Sequence, residues 1–107
     1  MTNVTFERVN KKYTGFYLKG HAGYNPNGPD ILCSAISMAS QMTELGLREV
    51  LQARVDVEEG DGEYKVSVAN SFYFDNSVQT LFRTLHLALE NLHQQYPDFI
   101  TISYAGE

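Results

Sequence analysis

Cys33 is the single cysteine of the chain, and three histidines, His21, His86 and His93, could serve it as a base. A thiolate is a strong nucleophile and a thiol a weak one, so a reactive cysteine needs a setting that favours loss of its proton. Asp30 stands where a helix N-cap belongs, with a carboxylate able to accept from the first unpaired backbone N–H groups. Counted from that cap, Cys33 is the third helical residue. The first turn of a helix carries partial positive charge, which favours a thiolate, and its N–H groups could hold an oxyanion formed beside the sulfur. His21 follows a predicted strand directly, at the mouth of the loop Ala22-Gly23-Tyr24-Asn25-Pro26-Asn27-Gly28-Pro29 that leads to Cys33. Such a loop lets a strand end face a helix start. His21 could then draw the proton from Cys33 and return it to a leaving amine.

The elements that must position this pair are legible as periodicities. Alternation of apolar and polar residues predicts strands over about Thr2 to Arg8 (Val4 and Phe6 inward) and about Thr14 to Gly20 (Phe16 and Leu18 inward), with Asn10-Lys11-Lys12 as the turn. A second hairpin runs from Arg54 to Glu59 and from Glu63 to Ala69. Val55, Val57, Tyr64, Val66 and Val68 point inward, and Gly60-Asp61-Gly62 turns the chain. A last strand, about Phe99 to Tyr104, alternates Ile100, Ile102 and Tyr104. Helical spacing places Val78, Leu81, Phe82, Leu85, Leu89 and Leu92 on one stripe, capped by Asp75, Asn76 or Ser77 and ended before Pro97. A first helix is expected from Asp30 to about Gly46, with Ile31, Ala35, Met38, Met42 and Leu45 on its core face. Cys33 then lies off that stripe, with Ser37 and Ser40 on its side, which argues against a structural cysteine. The expected fold is α+β, a mainly antiparallel sheet packed by two helices in the order ββαββαβ.

Composition bounds the function. The chain has 107 residues, the size of one domain, and 1–107 is read as a single domain. An apolar share of 43% and a charged share of 20% suit a soluble globular protein. Its apolar runs fall short of the ~18–20 residues that a membrane helix needs. Met1-Thr2-Asn3-Val4-Thr5 lacks the regions of a secretion signal, and one cysteine suits a reducing compartment, so the cytoplasm is expected. A net charge of −5 disfavours nucleic acid and is compatible with a basic peptide or protein partner.

Plainer roles stand beside the chemical ones. A lone cysteine is often buried and inert, and a lone histidine often caps a turn. Asp30 could orient His21 by triad logic, although the cap is the simpler role and a carboxylate against Cys33 would oppose the thiolate. Ser37 is a candidate contact for substrate or sulfur beside its plainer role as a solvated helix serine. Tyr24 and part of Phe72-Tyr73-Phe74 are candidates to line a pocket for an apolar substrate residue. His86 and His93 share a flank of the second helix but lack further ligands at fitting spacing, so no metal or cofactor is expected. The acidic run Glu58 to Glu63 reads as a solvated hairpin tip.

The segments Gly20-His21-Ala22-Gly23 and Gly28-Pro29-Asp30-Ile31-Leu32-Cys33-Ser34-Ala35 together resemble the signature of the ribosomal-processing cysteine proteases. That signature is Gly-His-Ala, a short loop, then Gly-x-Asp-Ile-Val-Cys-Ala-Ala. Leu32 and Ser34 depart from it, and neither removes chemistry. The resemblance covers the chain from end to end. It implies a small homodimeric endopeptidase that removes the N-terminal extension of a large-subunit ribosomal protein. It assigns Cys33 as nucleophile and His21 as general base. Gly20, Gly23 and Gly28 match positions that let the loop move over substrate. The competing expectation is a non-enzymatic ribosome-associated binding module, which the net charge and the aromatic residues also allow.

Overall fold

A computed structural model of the chain describes residues 1–25 and 30–107. The described residues form five strands, β1 (Thr2–Val9), β2 (Lys12–Lys19), β3 (Val55–Gly60), β4 (Glu63–Val68) and β5 (Ile100–Gly106), and two α-helices, α1 (Ile31–Leu45) and α2 (Asn76–Gln95). The sheet order is β3-β4-β2-β1-β5. The β1–β2, β2–β4 and β3–β4 pairs are antiparallel and β1–β5 is parallel. This is the expected α+β fold in the order ββαββαβ. Among the described residues no helix is long and apolar enough to cross a membrane.

Side chains alternate across each strand, so pairing Val4 with Leu18 and Phe6 with Phe16 gives the sheet one apolar face. Val66 and Val68 extend that face through β4, and Ile100 through β5. Phe82, Leu85 and Leu89 of α2 close over it, with Phe6, Phe16 and Phe82 fully buried. The opposite face is polar. There Lys65 meets Glu7 at 3.5 Å, and Thr101 donates to Asn3 at 2.6 Å. The first hairpin turns on Asn10 and Lys11, both in the left-handed region at φ 50° and 66°, the geometry of a two-residue turn matched to strand twist. A bulge between Glu7 and Arg8 shifts the register there. Gln79 of α2 reaches that end of β2, accepting from the Tyr13 N–H at 2.8 Å and donating to its carbonyl at 2.7 Å. Of the three proposed caps for α2, Asp75 is the one used, accepting from the Val78 N–H at 3.0 Å.

The first helix differs from expectation in two ways. Its buried residues are Leu32, Ile36, Ser40, Thr43 and Glu44, whereas Ile31, Ala35, Met38, Met42 and Leu45 face outward. Periodicity selected the richer of two apolar stripes, and the richer one is exposed. The buried side tolerates polar residues because each has a partner. Ser40 donates to the Ile36 carbonyl at 2.8 Å and Thr43 to the Ala39 carbonyl at 2.9 Å. Glu44 accepts from the Tyr64 hydroxyl and pairs with Arg48 at 2.9 Å. Cys33 is therefore not remote from the core. It follows Leu32, precedes Ile36 by one turn, and packs half-buried at the core edge.

The α-helix ends at Leu45, as expected, but the coil does not stop at Gly46. That glycine is helical at φ −61° and ψ −45°, and the coil continues as a wider π turn over Gly46–Val50, which buries Leu47. A Cβ at Gly46 would come within 2.9 Å of a Leu81 methyl. The glycine permits close approach of α2 and is not a stop signal.

Candidate active site

Four chain segments meet at one cleft of about 190 Å³, lined by Thr2 of β1, Gly20 and His21 after β2, Cys33 and Ser37 of α1, and Gly62, Glu63 and Tyr64 of the β3–β4 hairpin. The end of β2 supplies His21. Lys19 is the last strand residue, and Gly20 turns out of the sheet at φ +91°, a conformation L side chains rarely adopt. A Cβ at Gly20 would also meet the Met1 carbonyl oxygen at 2.5 Å. The ring of His21 is thus delivered just past the sheet edge, exposed to solvent.

The start of α1 supplies Cys33. Asp30 is extended at φ −95° and caps the helix, its Oδ1 accepting from the Cys33 N–H at 2.9 Å. Its Oδ2 accepts from the Tyr24 N–H at 3.1 Å. One carboxylate therefore ties the segment after His21 to the helix that carries Cys33. Both of its oxygens are committed to backbone, which is the cap geometry and not that of an acid orienting the histidine. The Cys33 and Ser34 N–H groups are taken by Asp30, so the first-turn donors left for another acceptor are those of Ile31 and Leu32.

His21 and Cys33 line the same cleft, and among the described residues no hydrogen bond joins them. Ser37, one turn beyond Cys33, lines it too. Ser40 does not, being buried on the core side. Gly23 is in the left-handed region at φ +73°. Gly28 lies outside the described residues. Tyr24 stacks edge-on against Tyr96 and Phe99, each with ring centroids 5.5 Å away, and is not among the cleft-lining residues. Phe72 and Tyr73 pack on the core and Phe74 is exposed; none of the three lines the cleft.

The β3–β4 turn had no place in the sequence-based site. The Gly20 N–H donates to the Gly62 carbonyl at 2.7 Å, latching the turn to the histidine segment. Asp61 Oδ1 lies 3.9 Å from His21 Nε2. Tyr64 forms a wall of the cleft and donates to Glu44. Burial, supported by that hydrogen bond, pushes its phenol well above its ordinary value, so it remains a neutral donor. The other histidines serve elsewhere. His86 bonds the Tyr13 hydroxyl at 2.6 Å and Glu90 at 3.0 Å, and His93 bonds the Ile100 carbonyl at 2.6 Å.

A model of the family described as cysteine protease Prp matches residues 1–101. The chain belongs to this family. Membership in the Prp family makes it a cysteine protease, a hydrolase. Among solved structures, SMU.848 from Streptococcus mutans is 30% identical with a TM-score of 0.84, the match covering 100% of this chain and 96% of that one. The essential ribosomal processing protease Prp from S. aureus, with a covalently linked product peptide, has a TM-score of 0.88 at 22% identity, covering 98% and 100% of the two chains. The same S. aureus protease with a substrate peptide gives 0.82 at 21% identity, again over 98% and 100%. A comparison with curated proteins finds no match.

Proposed function

We propose that the chain is a cytoplasmic endopeptidase that removes the N-terminal extension of a large-subunit ribosomal protein, with Cys33 as nucleophile and His21 as general base. The observation that carries this reading is the cleft shared by His21 and the only cysteine of a cysteine protease. The substrate class is supported by the S. aureus relative, a ribosomal processing protease.

The proposed chemistry proceeds through an acyl-enzyme. His21 takes the thiol proton and the Cys33 sulfur attacks the scissile carbonyl carbon. The resulting oxyanion is held by α1 first-turn N–H groups that Asp30 leaves unused. The tetrahedral species collapses to a thioester as His21 returns the proton to the leaving amine. Water, deprotonated by His21, then attacks the thioester, releases the acid and restores the thiol. Gly20 and Gly23 act as hinges of the loop that follows His21. Ser37, which lines the cleft, is assigned to substrate contact. No metal or cofactor is required. Mass spectrometry of the extended ribosomal protein tests the reading. The wild-type chain should remove the extension, and Cys33→Ala and His21→Ala should leave it intact.

The working form is proposed to be a homodimer closed over the outward stripe of α1. Ile31, Met38, Met42 and Val50 are 64%, 63%, 66% and 78% exposed, a run too apolar for a surface facing only water. Met42, Leu45 and Val50 also border an apolar hollow of about 490 Å³ against Leu81. A second copy would cover both.

A further inference from the structure

The mechanism leaves His21 without an orienting group, because Asp30 spends both carboxylate oxygens on backbone N–H groups. An imidazole that must shuttle protons between a sulfur and a leaving amine gains from a third group that fixes its ring and balances its charge. Such a group stands on the turn between β3 and β4.

We infer that Asp61, at the tip of this turn, is the positioning carboxylate of the catalytic histidine. The inference rests on the reading of Cys33 and His21 as the catalytic pair. Asp61 Oδ1 faces Nε2 at 3.9 Å, so the ring nitrogen left for the sulfur or the substrate is Nδ1. Among the described residues His21 is the one ionic partner of Asp61. The neighbouring charges are engaged elsewhere. Lys19 pairs with Glu63 at 3.9 Å, and Glu63 also accepts from the Tyr17 hydroxyl at 2.7 Å. Tyr64 is turned to Glu44.

The turn is built for this approach. Gly62 is left-handed at φ +69°, and a Cβ placed there would stand 3.4 Å from His21 Nε2. The bare glycine lets the imidazole lie against the turn, and the Gly20-to-Gly62 hydrogen bond holds turn and histidine segment in register. The acidic hairpin tip is therefore part of the active site.

The test is steady-state cleavage of the extended ribosomal protein by wild type, Asp61→Asn and Asp61→Glu, with Cys33→Ala and His21→Ala as controls. Asp61 is exposed on a turn, so Asp61→Asn should unfold at the wild-type temperature. Its kcat should fall about five-fold with KM nearly unchanged, the size expected of one solvent-exposed ionic contact. Asp61→Glu should recover most of that loss, and added salt should bring wild type towards Asp61→Asn. A wild-type kcat in Asp61→Asn overturns the assignment, as does a loss confined to KM, which would make the carboxylate a substrate contact. Activity surviving in Cys33→Ala or His21→Ala would remove the catalytic pair itself, a failure distinct from an Asp61 effect that is absent while both controls are dead.

Discussion

The carboxylate of Asp30 accepts the backbone N–H of Cys33 at 2.9 Å. It thereby fixes the helix start on which the nucleophile sits, while its second oxygen secures Tyr24. Asp30→Ala should cost about 1 kcal/mol as a lost N-cap, a fall in Tm of roughly 4–8 °C for a chain of this size. Activity should fall further than stability does, because the tether to Tyr24 goes with the cap. Thermal unfolding beside peptide cleavage checks both, and Asp30→Asn should retain part of each.

His21 is exposed on the cleft rim and makes no core contact that its loss would break. His21→Ala should therefore fold with wild-type stability and lose about 100-fold or more in kcat/KM, the usual contribution of a positioned base. Iodoacetamide labelling of the single thiol should slow in the same variant. Unchanged labelling would separate histidine from cysteine.

The outward stripe of α1 predicts a concentration-dependent assembly. Met38→Asp and Met42→Asp each place a charge on it without touching the buried Leu32–Ile36 side. Sedimentation should show a dimer for wild type and a monomer for the double variant. A wild-type monomer at working concentration would remove the dimer.

Tyr64 gives the alkaline behaviour. Its folded-state proton affinity lies above the ordinary tyrosine value of 10.0, first through burial and then through Glu44. A raised group contributes stability that is complete below the unfolded value and is lost as pH climbs through the folded one. Urea unfolding between roughly pH 8 and pH 11 should be level at first and then decline. Tyr64→Phe should remove the largest share of that slope, the remainder coming from Tyr13 and Tyr104, raised first by burial, and Tyr17, raised first by its hydrogen bond to Glu63. At neutral pH the same variant should lose about 1–3 kcal/mol, because the buried Glu44 is left with Arg48 alone.

The hairpins, the second helix and the cap at Asp30 were legible because each is written in local chemistry: alternation, turn residues, a carboxylate before an apolar run. The first helix was misphased because it carries two apolar stripes, and only the sheet decides which one is buried. Ser40 read as lying off the core face with Cys33, and its burial, like the meeting of Glu44 with Tyr64, is decided by the sheet and not by local sequence. Gly46 read as a stop because the close approach of Leu81 is a tertiary fact. In the site, His21 and Cys33 were visible from type and motif. Thr2 and Tyr64 arrive from strands, and Gly62 from a turn, distant in sequence, and carry no local mark.

Thr2 shows what this topology means for timing. It borders the cleft, and its N–H is held by the Phe99 carbonyl at 3.0 Å, just before β5 runs parallel to β1. β1 therefore acquires its outer neighbour from the last of the described elements. Pairings this distant in sequence form late and slowly. The Thr2 edge of the cleft is thus set only when β5 docks, after the local hairpins that carry His21 and Tyr64 have formed.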